Sequence, residues 1–200
     1  MITLGTKRAG HQFVGVGVGA IVLNAQGKVF LAKRGQEASN EQGLWAWPGG
    51  EVEFGEMLTT AIQRELLEEF DMVIEPICQI AAFDHLLDGG QEHWVSVAFI
   101  ALYISGEPYI KEPGKCSDFG WFSLDALPAA LTTLSEEHVQ AYRSVFGVGT
   151  VRNMSHASRE THLEEVRSAC LTDTMQRTSL LDRPSMINGL SARAEAVGFS

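Results

Sequence analysis

PGGEVEFGEMLTTAIQRELLEEFDM, residues 48–72, is the stretch that decides how the chain folds. Leu58, Ile62, Leu66 and Phe70 recur every fourth residue, with Ala61 beside them. That period predicts an amphipathic helix over 58–70 whose apolar stripe faces a sheet. The same helix carries Glu65, Glu68 and Glu69, spaced so that they share nearly one side, where like charges repel by about 0.2–0.5 kcal/mol per pair. A solvated face would intersperse lysines, yet Phe70, Asp71, Met72 and Val73 bring no positive charge. A hard divalent cation is the natural neutraliser of such a carboxylate cluster. Upstream, Pro48, Gly49 and Gly50 predict a sharp turn that offers bare backbone to a ligand or a metal.

Outward from this helix the pattern turns to strands. VGVGVGAIVLN (14–24) and KVFLAKR (28–34) read as two strands around a turn at Gly27, and LWAW (44–47) as a short third. The polar run 35–43 reads as a loop. MVIEPICQIAAFDHLL (72–87) is β-rich with a break or edge position at Pro76. Asp88-Gly89-Gly90 signals a hairpin into HWVSVAFIALYI (93–104). A short strand at 119–123 and helical pieces at Asp125–Pro128 and 135–146 complete the pattern. The order predicts an α/β fold, a mixed sheet with helices packed on it. Residues 149–200 differ in character: 156–170 has the makings of one helix, and 171–200 shows weak periodicity. They are read as a C-terminal extension, partly disordered, behind a domain of residues 1–148.

The charge balance narrows the function. The net charge is −10, and all of it lies in residues 1–150, with 9 basic against 19 acidic side chains. That argues against binding a nucleic-acid polymer, which needs a basic surface. No run of about 18 apolar residues predicts a membrane span, and the first residues lack a secretory pattern. Cys78, Cys116 and Cys170 are few and widely spaced. They predict no disulfide framework and fit a reducing cytoplasm.

The stretch 48–72 resembles the Nudix box. Gly50 is followed after five residues by Glu56, then after seven by Arg64-Glu65-Leu66-x-Glu68-Glu69 and an aliphatic Met72. One position departs: Asp71 stands where the family has Gly, at a helix end that often takes left-handed dihedrals. Asp tolerates that conformation better than most residues, which puts the helix exit rather than the chemistry in question. The resemblance implies a Nudix α/β/α sandwich with a mixed sheet between helices. It implies that Glu65, Glu68 and Glu69 bind Mg²⁺, with Mn²⁺ as a substitute, and carry the catalysis. Glu69 or Glu65 is then the base unless the metal supplies most of the acidification. Glu56 and Arg64 become a structural ion pair. Gly49 and Gly50 lie at the substrate, with Gly49 lending a backbone oxygen to the metal, and Arg34 touches the phosphates. Glu112 in the late loop is a further candidate ligand or base.

Residues 14–22, 30–34, 44–56 and 112–128 look like the branch acting on nucleoside triphosphates, of thiopurine-nucleotide or 8-oxo-dGTP type, which is often homodimeric. The implied reaction converts a (deoxy)nucleoside triphosphate to monophosphate and pyrophosphate. The alternatives are a nucleotide-sugar or dinucleotide (ADP-ribose-type) pyrophosphatase and a non-catalytic nucleotide sensor. A sensor could lose box glutamates, and this chain keeps them all.

Side chains outside the box have plainer readings. Of Trp45 and Trp47, one is read as core and the other as a candidate for stacking on a base. His85 and His93 read as structural or surface groups. Cys116 reads as a small buried apolar residue.

Overall fold

Alternation along the glycine-rich first strand sorts the molecule into two faces. The computed structural model describes residues 8–146, 164 and 166–172. Strands β1 (Gly15–Leu23), β2 (Val29–Arg34), β3 (Trp45–Ala46) and β4 (Gly49–Glu51) precede helix α1 (Leu58–Phe70). Strands β5 (Met72–Leu87), β6 (Glu92–Gly106) and β7 (Cys116–Phe122) and helix α2 (Thr133–Phe146) follow. Val18, Ala20 and Val22 of β1 join the core under α1, with Ile62, Leu66 and Phe70. Ile21 and Leu23 join the opposite core, with Val139 and Tyr142 of α2. That second core also takes Val166 and Cys170, from helical residues 166–172. The sheet thus lies between helices, an α/β sandwich buried on both faces.

The sheet is mixed, in the order β3-β2-β1-β6-β5, with β4 pairing to β1 and β7 to β2. β1 and β6 run parallel from Gly15↔Trp94 to Leu23↔Leu102, and the other pairings are antiparallel. β5 is an edge strand and runs through Pro76 with register shifts between Pro76 and Cys78 and at two further points. An edge position leaves the missing proline N–H without a ladder partner to disappoint. Among the described residues no helix is long and apolar enough to cross a membrane.

Four expectations change. Gly49 and Gly50 do not form a turn but a strand, β4, laid antiparallel on Gly17–Gly19. An added Cβ at Gly49 would overlap the Val18 carbonyl oxygen, so only glycine permits this approach. Asp125–Pro128 is irregular rather than helical. Trp45 and Trp47 both pack on the α2 side, because residues two apart on a strand share a face. Finally, Cys78 on β5 is disulfide-bonded to Cys170, Cα atoms 5.8 Å apart, although 92 residues separate them. Arg167 reinforces that junction through Glu75, Nη2 to Oε2 at 2.7 Å. Spacing in sequence carried no trace of this proximity. The remainder of the 149–200 extension lies outside the described residues.

Candidate active site

Helix α1 spans the predicted residues and ends where Asp71 takes left-handed dihedrals, φ 58° and ψ 32°. Its backbone N–H returns to the carbonyls of Leu66 and Leu67. Lys111 supports this exit: its Nζ donates to Leu67 O at 2.8 Å and to Asp71 Oδ1 at 3.1 Å. Two backbone bonds, Lys111 N to Glu69 O and Tyr109 N to Phe70 O, lace the β6–β7 loop to the end of the helix.

Arg64 organises the other side of the helix. Nε and Nη2 donate to the two oxygens of Glu56 at 2.9 and 3.0 Å, and Nη2 also donates to Glu51 O at 2.9 Å. Nη1 reaches Glu65 at 2.9 Å and Glu68 at 3.1 Å. The guanidinium holds the Glu56 carboxyl below its ordinary pKa. Glu65 lies over Gly50, where any Cβ would overlap its carboxylate. Burial raises the Glu65 pKa, and the Arg64 contact opposes that rise. Glu68 is turned to Arg64 and mostly exposed, at 61%.

Glu69 differs from both. Burial pushes its pKa up to about 7, the charges of Glu65 and Glu112 add to the rise, and Lys115 and Arg34 oppose it. The late loop thus brings Glu112 and Lys115 to Glu69, and Lys115 Nζ also pairs with Glu112 Oε2 at 2.9 Å. Lys115 was not singled out by sequence reading; nothing in its local pattern marks it. Arg34 is held by Asn40, Nε to its carbonyl and Nη2 to Oδ1, each at 2.7 Å. Burial lowers the Arg34 pKa, and the charges of Glu41 and Glu69 oppose that fall.

These groups line a cavity of about 270 Å³ that includes Arg34, Gly49, Glu69, Glu112, Lys115 and Cys116. A second cavity of about 260 Å³ lies beside it, and Arg34, Ala46, Trp47 and Gly49 wall both. The second is lined by Trp47, His85, Trp94 and His138. His85 is therefore a cavity group rather than only a surface one. His93 stays exposed, 3.2 Å from Asp84. His138 went unnoticed in sequence, although Ser135, His138, Val139 and Tyr142 mark one buried face at helical spacing.

No three His, Cys, Asp or Glu side chains among the described residues are grouped so as to hold a metal by themselves. The donor set therefore does not suit a closed all-protein cage. A half-buried Glu69 with Glu112 on the same cavity wall does suit Mg²⁺, which takes one or two carboxylates and completes its octahedron with water and phosphate oxygens.

Comparison with known proteins agrees with this architecture. Residues 14–145 match the family model of the NUDIX domain. The mouse 8-oxo-dGDP phosphatase NUDT18 is 30% identical over 118 residues, 56% of this chain, which itself spans only 33% of that relative. An RNA pyrophosphohydrolase of Novosphingobium aromaticivorans is 28% identical over 146 residues, covering 64% of this chain and 87% of the relative. Among solved structures, the MutT NUDIX hydrolase of Burkholderia pseudomallei superposes with a TM-score of 0.59 at 35% identity, covering 64% of this chain and 96% of that one. The matched residues 14–145 make up about two thirds of the chain, and by that match the chain belongs to the Nudix hydrolase family, whose members act on phosphoric anhydride bonds of nucleotides and generally use divalent metal ions.

Proposed function

We propose that this protein is a Mg²⁺-dependent nucleotide pyrophosphohydrolase that cleaves (deoxy)nucleoside triphosphates to monophosphate and pyrophosphate. The observation that carries the reading is Glu69, a half-buried carboxyl that shares one cavity with Glu112, Arg34 and Lys115. Carboxylates for a metal and cations for phosphate oxygens converge there on one cavity. The relatives differ in the substrates their names give, an oxidised nucleoside diphosphate in one and RNA in another. The triphosphate assignment rests instead on the resemblance of 14–22, 30–34, 44–56 and 112–128.

On this reading Glu65, Glu69 and the Gly49 carbonyl would hold the Mg²⁺, Glu68 would join them by turning from Arg64, and Mn²⁺ could replace the metal. The metal would supply charge stabilisation on the phosphate oxygens and acidify the attacking water. The chain's own groups do the rest. Arg34 and Lys115 bind and orient the polyphosphate. Glu69 or Glu65 accepts the proton of a water as its oxygen bonds to phosphorus and the anhydride P–O bond breaks. Arg64 keeps Glu65 and Glu56 in place and touches no reacting atom. The missing side chain of Gly50 leaves room for the Glu65 carboxylate over the β4 backbone.

The test is a nucleotide panel incubated with purified protein and Mg²⁺, with products separated by chromatography. Monophosphate plus pyrophosphate from triphosphates is the expected result. Monophosphate plus a sugar phosphate from nucleotide sugars, with triphosphates untouched, would replace the triphosphate assignment. No turnover of any nucleotide would leave a binding domain.

A further inference from the structure

The cavity on the α2 side contains an unexplained polar group. His138 is 2% exposed, and neither Nδ1 nor Nε2 has a hydrogen-bond partner. A buried ring nitrogen without a partner is costly, and native structures give nearly every such atom one. The ring is not adrift. Its face stacks on Phe83, centroids 5.4 Å apart and planes 28° from parallel. Its edge lies over Gly19, where an added Cβ would come within 3.0 Å of Cε1.

The helix that carries His138 is pinned at its first turn. Trp47 donates its indole N–H to Ser135 O at 3.0 Å and its backbone N–H to Ser135 Oγ at 3.1 Å. Thr132 donates its hydroxyl to Ser135 Oγ at 2.7 Å. An imidazole is thus fixed at the cavity wall with both of its ring hydrogen bonds unmade. Tyr142, one turn further along α2, also leaves its hydroxyl without a partner but does not line the cavity.

The cavity indicates what that ligand is. At about 260 Å³ it holds far more than a single water, whose share of the liquid is roughly 30 Å³. Half-buried Trp94 gives its lining an aromatic ring, beside the edge of buried Trp47. It meets the acidic cavity at Arg34, Trp47 and Gly49, so one molecule can place phosphates in the first and a ring in the second. Burial, and the nearby His85, lower the His138 pKa to about 4, so the ring is neutral and offers one donor and one acceptor.

We propose that His138 is a specificity-determining residue that exchanges a hydrogen bond with the polar edge of a nucleobase seated in this cavity. The inference rests on the nucleotide reading above and adds the group that tells one base from another.

The test measures binding of AMP, GMP, CMP, UMP and the base-free probe ribose 5-phosphate to the full chain by calorimetry. Wild type, His138→Phe and His138→Gln are compared, with thermal melts run alongside. Wild type binds its preferred monophosphate more tightly than ribose 5-phosphate. His138→Phe weakens that monophosphate about ten-fold, the loss expected for one hydrogen bond, and leaves ribose 5-phosphate unchanged. His138→Gln, which keeps a donor and an acceptor, recovers part of the loss and re-orders the four bases. If either variant fails to fold, ¹⁵N spectra of the wild-type imidazole decide. The His138 nitrogens shift with the preferred monophosphate and stay fixed with ribose 5-phosphate.

Equal affinity for all four monophosphates and ribose 5-phosphate, or an equal loss for all five in His138→Phe, overturns the proposal. Unmoved His138 nitrogens overturn it as well. Triphosphate hydrolysis by the wild type, assayed in parallel, separates the two readings. If turnover persists while base discrimination is absent, only the role of His138 falls. If hydrolysis is absent while base discrimination depends on His138, the catalytic reading falls and the base site stands.

Discussion

Arg64 grips Glu56 at two points, Nε on Oε1 at 2.9 Å and Nη2 on Oε2 at 3.0 Å, while Nη1 holds Glu65. One guanidinium thus joins the approach to α1, the end of β4 and an acidic residue of the site. A planar fork can do this and an ammonium cannot. Arg64→Ala is expected to lower stability by about 1–2 kcal/mol, after discounting for its partial exposure, and to lower kcat as well. Arg64→Lys restores charge but little activity. Urea melts and kcat for the three proteins check this, and wild-type kcat in the Lys variant would contradict it.

Glu69→Gln is expected to cut turnover by about 100-fold or more at an unchanged fold, the range for a positioned proton acceptor. Glu68→Gln also reduces turnover, through the metal. EDTA abolishes activity and Mg²⁺ restores it. Steady-state rates with circular dichroism make the comparison, and full activity in both variants would remove the carboxylates from the mechanism.

The pKa of Glu69 near 7 fixes a pH dependence. A carboxyl whose folded pKa is raised is costly to the fold once ionised, and the cost grows as pH climbs from about 4.5 to about 7. At roughly 1.4 kcal/mol per pH unit the ceiling is about 3 kcal/mol. Metal-free wild type should therefore lose stability between pH 5 and 7.5 relative to Glu69→Gln, and Mg²⁺ should bind more tightly as pH rises through 7. Denaturant titrations at the two pH values, with and without Mg²⁺, report both slopes.

Gly49→Ala is expected to disrupt β4, because its Cβ would meet backbone of β1 and neither strand can yield alone. Loss of soluble protein or of several degrees in Tm is the expected result. A stable, fully active Gly49→Ala protein would contradict the pairing of Gly19 with Gly49.

The Cys78–Cys170 bond closes a long loop, and its loss should lower stability by about 2–4 kcal/mol. Of the three cysteines, Cys116 is the free one, so thiol labelling should modify one group before reduction and three after. Mass spectrometry counts them, and three labelled thiols in the unreduced protein would refute the bond.

The α1 helix was legible to the residue because its apolar period runs unbroken from Leu58 to Phe70. The glycine strand β4 was not, since Pro48-Gly49-Gly50 has the composition of a turn and becomes a strand only against the glycines of β1. The glutamate run was legible as a candidate site and Glu112 as a further candidate, but Lys115 at that cavity and His138 at the adjoining one come from more than forty residues away. Such convergence is a property of the sheet order, which no local window contains. The disulfide was hidden for the same reason.

Asp71 stands where the Nudix box pattern has glycine, and Lys111 answers it across forty residues. The exchange turns a passive helix stop into a tether, and the tethered strand of loop is the one that delivers Glu112 and Lys115. Glycine there would ease the backbone yet slacken the arm that carries Glu112 and Lys115 to the cavity, so on the proposed reading a substitution at the far end of the helix would surface as a defect in how substrate is held.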